Sequence, residues 1–378
     1  MAITSRTITL LKVEQTRRGG RVNVVVFIVL LGILILVHEL GHFILAKRAG
    51  VKVEEFGIGF PPRLFAIQRG ETAYSLNMIP LGGFVRMLGE EDPTAPRSFA
   101  SASRWWRIAI LVAGATMNFI VAIILFSGAY VSGWPTVTKS EVIVSDVVPN
   151  SPAAHAGLKP GDVIVKFDGQ AIQQPDQISS VTYSSLGKSL PVVIQRGNQT
   201  LNVAVTPRTT WPSDQGPVGI GISEHPLKVE PVYYSVPKAI VGGITQTVQT
   251  VVLTLSVPVL VIRGLIPADA ARPIGPFGIY QITSQATTET VSTGWWFPVL
   301  SVAATVSAGL GFANLLPIPG LDGGRLLFVI IEAIRGRRIS PQRESMIHMM
   351  GLVFLVSVFL IVTYFDLLFP VNLNFGPH

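Results

Sequence analysis

The stretch HELGH, from His38 to His42, lies inside a long apolar segment, and this combination decides how the chain folds. Residues 22–46 are almost all apolar, apart from Asn23 and the three ionisable residues of the pentapeptide. At about 1.5 Å per residue, a helix of this length crosses a hydrocarbon core of about 30 Å. Ionisable residues inside a bilayer are costly and usually functional. The sequence therefore predicts a membrane helix that carries a functional site.

The same stretch has the spacing of a zinc-protease site. His38 and His42 are four residues apart, so they lie on one helical face and can share a zinc ion, and Glu39 between them can act as a general base. Two histidines leave tetrahedral zinc short of a third protein ligand. Asp322 is the candidate, because it lies among small residues in a broken apolar segment; it could also cap the helix that follows. We therefore predict one zinc ion per chain and a protease whose active site lies within a membrane.

The composition favours a multi-span membrane protein over a soluble enzyme. Hydrophobic residues make up 49% of the 378 residues and charged residues only 13%, against roughly 25% charged residues in soluble proteins. The net charge of +7 is spread over short loops, without a Lys/Arg run that holds interleaved aromatic residues, so no nucleic-acid partner is expected. The chain has no cysteine, so no disulfide stabilises any domain.

The pattern predicts an α-helical membrane protein with about four transmembrane helices. The predicted spans are 22–46, 108–131, 295–334 and 346–369. Two prolines within residues 314–324 interrupt the third span, and a break of this kind is typical of a binding site. Residues 236–266 are ambiguous, because Pro258 interrupts an apolar run there. They form either a further span or an amphipathic helix on the membrane surface, and we favour the surface helix.

Two other parts of the chain have the pattern of strands. Residues 53–88 are apolar but rich in Gly and Pro, and they predict a membrane-associated β segment of short strands beside the active site. Residues 138–226 hold five strand-like runs and a short helix near 175–185, which predicts a soluble β-rich domain. The predicted domains are an N-terminal membrane region at 1–137, the β-rich domain at 138–226, a linker with the surface helix at 227–291, and a C-terminal membrane region at 292–378.

The charges of the loops predict the orientation. Basic residues are concentrated between the first two spans and between the last two, which places both loops in the cytoplasm. The basic N-terminal tail indicates the opposite orientation. The two loops indicate the same orientation as each other and together hold more charges. We therefore expect an extracytoplasmic β-rich domain and an active site near the cytoplasmic face.

Four motifs carry a resemblance to a known family. They are HELGH at 38–42, IPLGGFV at 79–85, AGATMNF at 113–119 and NLLPIPGLDGG at 314–324. In this order they resemble the site-2 protease family of intramembrane zinc metalloproteases, and within it the bacterial regulator of sigma-E protease type. The resemblance covers nearly the whole chain. It implies zinc bound by His38, His42 and Asp322, with Glu39 as the general base and Asn314 beside the active site, where its amide could bind substrate or stabilise an oxyanion.

The resemblance also implies where substrates bind. An extended substrate would pair with the Gly-rich segment at Gly82, Gly83 and Phe84. The domain at 138–226 is similar to a PDZ domain in the permuted bacterial arrangement, on the pattern of residues 151–164. A peptide would then join it by β-augmentation at Gly219, Ile220 and Gly221. Some relatives carry two PDZ domains and this chain has one, so whether the domain recruits or excludes substrates stays open.

The implied function is regulated intramembrane proteolysis in a bacterial inner membrane. The substrate would be a single-span membrane protein already trimmed outside the bilayer, such as an anti-sigma factor or a remnant signal peptide. A proteolytically silent membrane adaptor that presents the PDZ-like domain is the alternative, against which the intact Glu39 argues. A membrane-anchored protease of soluble proteins is a further alternative, against which the position of Asp322 in a span argues.

Asn118, in the second span, is more typical of helix packing.

Overall fold

The computed structural model describes residues 2–90, 94–212, 215–267, 271–337, 339–371 and 373. In chain order the elements are α1 (Ala2–Arg48), β1 (Val53–Arg69), β2 (Thr72–Met87), α2 (Arg104–Val131), β3 (Trp134–Val147), α3 (Pro152–His155), β4 (Val163–Phe167), β5 (Gln170–Ala171), α4 (Pro175–Ser184), β6 (Leu190–Arg196), β7 (Gln199–Val205), β8 (Ile220–Val232), α5 (Val236–Ile262), α6 (Pro276–Thr293), α7 (Phe297–Leu315), α8 (Asp322–Arg335) and α9 (Pro341–Leu368). Two compact units result, one of Met1–Gly133 with Tyr233–Phe375 and the other of Trp134–Val232.

Five helices of the first unit are, within the described residues, long and apolar enough to cross a membrane. They are the Val22–Arg48 part of α1, together with α2, α5, α7 and α9. The sequence predicts about four spans, and α5 accounts for the difference. It continues as one helix of 27 residues although Pro258 lies inside it. Its placement across the membrane or on the surface stays a prediction.

The helix α2 packs against α1, α5, α7 and α8. Small residues allow the closest of these approaches. A Cβ added at Gly41 of α1 would lie only 2.5 Å from the carbonyl oxygen of Ala113 in α2. Without a hydrophobic driving force in lipid, helices associate through such close backbone packing. The α1–α2 contact therefore forms at the HELGH stretch itself.

The predicted interruption of the third span is present between α7 and α8. The α7 helix ends at Leu315, just before Pro317 and Pro319, and α8 begins at Asp322. The connecting loop folds tightly onto the start of α8, because a Cβ at Gly324 would lie 2.4 Å from the carbonyl oxygen of Ile318. This tight loop fixes the position of Asp322.

The strands β1 and β2 form one long antiparallel hairpin. This corrects the prediction of short strands in residues 53–88. Repeated register shifts let the ladder continue through the Gly and Pro residues, and Gly59 and Gly82 adopt positive φ angles of 78° and 85°. At the turn, hydrogen bonds from Arg97 and Lys47 lower the pKa of the Glu71 carboxyl to about 2. The turn is thereby attached to the end of α1.

The second unit is an antiparallel sheet with strand order β7-β6-β4-β3-β8, and β5 pairs with β4. Its core is built from alternating buried residues of the strands, such as Val142, Ile164 and Ile194, and from Ile178 of α4. The predicted helix near 175–185 is present as α4. The β3 and β8 strands are longer than the predicted runs, because they pair as a ribbon from Trp134↔Val232 to Val147↔Ile220.

Candidate active site

The helix α1 and the start of α8 bring three metal-binding side chains together. His38 and His42 are each only 6% exposed, as the burial of their helical face requires. The Nε2 atoms of His38 and His42 lie 2.9 Å and 3.1 Å from Asp322 Oδ2, and 3.1 Å from each other. Within the described residues, these three form the cluster of His and acidic side chains that could hold a metal ion. Two imidazole nitrogens and one carboxylate oxygen are a donor set that zinc prefers.

Two features of α2 fit a metal at this point. His42 Nδ1 donates a hydrogen bond to the carbonyl oxygen of Ile110 at 2.8 Å, which leaves Nε2 with the lone pair that a metal needs. Gly114 faces the same two rings, and a Cβ there would lie 2.5 Å from His42 Nε2 and 2.6 Å from His38 Nε2. The absence of a side chain at residue 114 thus keeps space beside both nitrogens. The residues present therefore fit a zinc ion.

Glu39 is oriented by the hairpin. Its Oε2 accepts a hydrogen bond from the backbone N–H of Val85 in β2 at 3.1 Å. Glu39, His42 and Asp322 line one cavity of about 430 Å³, which also touches Phe84. The cavity holds the proposed base next to the metal-binding atoms, with room for a peptide segment.

Four further polar side chains line this cavity. They are Glu90, Arg325, Ser345 and His348, and Arg325 Nη1 lies 2.7 Å from Glu90 Oε2. This ion pair joins the loop after β2 to α8, three residues beyond Asp322. The cavity is therefore bounded by the hairpin on one side and by α8 and α9 on the other.

The remaining predicted site residues differ in how close they lie to Glu39 and the cavity. Asn314 is half-buried in the last turn of α7 and, within the described parts of the chain, is not one of the residues that line the cavity. Gly83 lies close to the base, since a Cβ there would be 3.8 Å from Glu39 Cγ and 2.7 Å from the carbonyl oxygen of Gly57. Gly82 packs against Ile35 of α1. Gly219, Ile220 and Gly221 belong to the second unit, at the start of β8.

Four contributors to this geometry were not predicted as site residues from the sequence, which indicated only helix packing for Asn118. Ile110 and Val85 act through backbone atoms, which no side-chain pattern can indicate. Gly114 and Asn118 contact the histidines from α2. Both lie in the AGATMNF motif, so the motif includes residues that contact the histidines, although it does not indicate those contacts.

Comparisons with known proteins give a matching family and several relatives. The model of Peptidase family M50 matches residues 26–358. The regulator of sigma-W protease RasP of Bacillus subtilis is 31% identical, with 91% of this chain and 98% of that protein covered. The zinc metalloprotease RasP of Oceanobacillus iheyensis is 30% identical, again with 91% and 98% covered. A solved PDZ domain of an SdrC-like protein from Listeria monocytogenes is 24% identical, covers 23% of this chain and 92% of its own, and gives a TM-score of 0.21.

The family match spans most of the chain, and both relatives are covered almost from end to end. The resemblance to the site-2 proteases is thereby confirmed, and with it a zinc-dependent protease in a multi-pass membrane protein. This chain belongs to Peptidase family M50, and it is an intramembrane zinc metalloprotease of the site-2 type.

Proposed function

We propose that His38, His42 and Asp322 bind the zinc ion and that Glu39 is the general base for hydrolysis of a peptide bond in or near a transmembrane segment. The observation that carries the proposal is the convergence of the three donor atoms, those of His42 and Asp322 belonging to the cavity that Glu39 also lines. Zinc, when bound, would supply Lewis acidity next to this carboxylate.

Glu39 would move the protons of the reaction. Its carboxylate takes a proton from the attacking water and returns it to the nitrogen of the leaving peptide. The Val85 N–H holds the carboxylate in one orientation. The base is therefore oriented before substrate enters.

The substrate must be unwound before it is cut, because a helix hides its carbonyl groups in internal hydrogen bonds. The hairpin supports this step, since Gly82, Gly83 and Phe84 lie on β2 directly before the N–H that binds Glu39. A substrate strand paired at this segment would bring its backbone close to Glu39. Asn314, in the last turn of α7 before the break that leads to α8, would bind the substrate carbonyl or the oxyanion that forms from it.

We assign the substrate to single-span membrane proteins. One relative is named as a regulator of sigma-W protease, which supports an anti-sigma factor as the substrate class here. A remnant signal peptide has the same physical form, a single apolar span with a short remaining outer part. Loop charges support a bacterial inner-membrane location with the active site toward the cytoplasm.

The second unit would select substrates outside the membrane as a PDZ-like domain at 138–226. In support, β8 lies at the edge of its sheet and contacts α4, so that a peptide could add to the strand at Gly219, Ile220 and Gly221. Deleting 138–226 separates two roles. Recruitment predicts slower cleavage of trimmed substrate, and exclusion predicts new cleavage of untrimmed substrate.

The catalytic assignment is tested with Glu39→Gln in the full-length protein. Gln keeps the hydrogen bond from Val85 but cannot take a proton, so cleavage of a single-span substrate should fall by about 10²–10⁴-fold while zinc content stays at one per chain. The matched control is Glu54→Gln, which changes a glutamate of β1 outside the cavity lining and should cleave at the normal rate. Normal cleavage by Glu39→Gln would refute the role of the base.

A further inference from the structure

Asn118 is buried against His38 in the interface of α1 and α2. Its side chain has no exposed surface, and its amide nitrogen lies 3.3 Å from His38 Nδ1. The other end of the amide, Oδ1, is buried without a hydrogen-bond partner among the described residues. A buried acceptor that lacks a donor costs about 1–3 kcal/mol, so its position calls for an explanation.

Zinc binding changes what His38 requires from this neighbour. A neutral histidine that binds metal through Nε2 carries its proton on Nδ1, and that N–H needs an acceptor. For His42 the acceptor is the Ile110 carbonyl oxygen. For His38 the group facing Nδ1 is the Asn118 amide. The two ends of an amide have nearly the same shape, so a half-turn places Oδ1 where Nδ2 lies now.

We propose that Asn118 is a positioning residue for zinc: its Oδ1 accepts the hydrogen bond from His38 Nδ1–H and thereby directs the lone pair of Nε2 to the metal. The proposal rests on the ligand assignment given under Proposed function. It gives Oδ1 a partner in the zinc-loaded protein, with Nδ2 turned to the present position of Oδ1, and gives His38 the same kind of support that His42 has.

Helix packing alone does not explain why residue 118 carries an amide side chain. The contact that joins α2 to α7 here uses the main chain, because Ser307 Oγ donates to the backbone oxygen of Asn118 at 2.8 Å. Removing the Asn118 amide leaves that bond in place. The packing role and the proposed role can therefore be separated by substitution.

The test is the zinc dissociation constant of the purified full-length protein, measured by competition with a chelator of known affinity. Asn118→Leu keeps the branched arrangement of heavy atoms but has no acceptor, and it should weaken zinc binding by about 10–100-fold. Asn118→Asp restores an acceptor and should return the affinity to within a few-fold of wild type. Ser307→Ala, the control, should lower the melting temperature of the metal-free protein without changing zinc affinity. Wild-type zinc affinity in Asn118→Leu, or no recovery in Asn118→Asp, would overturn the proposal.

The tautomer gives a second measurement that does not depend on these variants. Nitrogen NMR of histidine-labelled, zinc-loaded protein should show a protonated Nδ1 and a metal-bound Nε2 for His38. A metal-bound Nδ1 would overturn the proposal even if the variants behaved as expected. His38→Ala tests the ligand assignment itself: full zinc content in that variant would refute the assignment, which is distinct from a wrong role for Asn118.

Discussion

Gly114→Ala is expected to weaken zinc binding without unfolding the protein. The new Cβ would lie 2.5 Å from His42 Nε2 and 2.6 Å from His38 Nε2, whereas ordinary contact begins at 3.4 Å. The rings or α2 must therefore shift by about 1 Å, a displacement that can cost about 10²-fold at a functional site. The His42 ring cannot simply turn away, because Ile110 holds its Nδ1, and α1 already touches α2 at Gly41.

The expected loss of zinc affinity follows from how small a change in ligand distance a metal site tolerates. Ligand distances in a working site stay within about 0.2 Å of their ideal values. A shift several times larger should weaken zinc binding by about 100-fold, which corresponds to about 2.7 kcal/mol. Alanine in place of glycine stabilises a helix by about 0.5–1 kcal/mol, whereas overpacking against the two rings costs about 1–3 kcal/mol, so the metal-free protein should stay folded and melt slightly below the wild-type temperature.

The assay is zinc bound per chain at a series of buffered free-zinc concentrations, with the melting temperature of the metal-free protein measured in parallel. Gly128→Ala is the matched control in the same helix, because its Cβ would meet only Leu300 Cδ1 at an ordinary 3.5 Å. The control should bind zinc as wild type does. Equal zinc affinity in Gly114→Ala and wild type would refute the argument that residue 114 keeps space for the metal-bound rings.

Two further predictions concern ion pairs. Hydrogen bonds from Arg196 hold the pKa of the buried Asp162 carboxyl below its ordinary value. The second unit should therefore lose stability as the pH falls below about 3.9 toward that lower pKa, and Asp162→Asn should melt with a weaker dependence on pH over this range. Arg107 Nη1 lies 2.6 Å from Glu332 Oε2, both side chains being buried, so Glu332→Gln should destabilise the first unit by about 3–5 kcal/mol in denaturant unfolding. The double change Arg107→Met with Glu332→Leu should recover most of that loss, and an equal loss in both variants would contradict the explanation.

The parts of the fold that depend on strong local patterns could be predicted from the sequence. The apolar segment with HELGH predicts a helix, and α1 is that helix. Two prolines at 317 and 319 predict the break, and α7 ends just before them. Both predictions work because a bilayer favours fully hydrogen-bonded helices, and two prolines close together remove backbone hydrogen bonds that such a helix needs.

The parts that depend on pairing over a distance could not be predicted. The hairpin was expected as short strands, because Gly and Pro weaken strand patterns; the register shifts that let it continue depend on both strands at once. A helix over 236–266 is predicted and α5 is present there, since a single proline can be tolerated in a membrane helix; whether α5 crosses the membrane or lies on its surface stays a prediction. At the site, the Val85 N–H and the Ile110 carbonyl are backbone groups; every residue type carries the carbonyl and every one except proline carries the N–H, so only the folded backbone shows their roles.

The hydrogen bond from His42 to the Ile110 carbonyl has a consequence for protein design and for comparisons of homologous sequences. Every amino acid carries a carbonyl group, so no substitution at residue 110 removes this acceptor as long as α2 keeps its path. A survey of side chains across homologous genes would find no constraint at this position that reveals the contact. A designer who transplants the site to another helical membrane protein must therefore reproduce the crossing of two helices, because copying the residues that surround His42 would leave its acceptor behind.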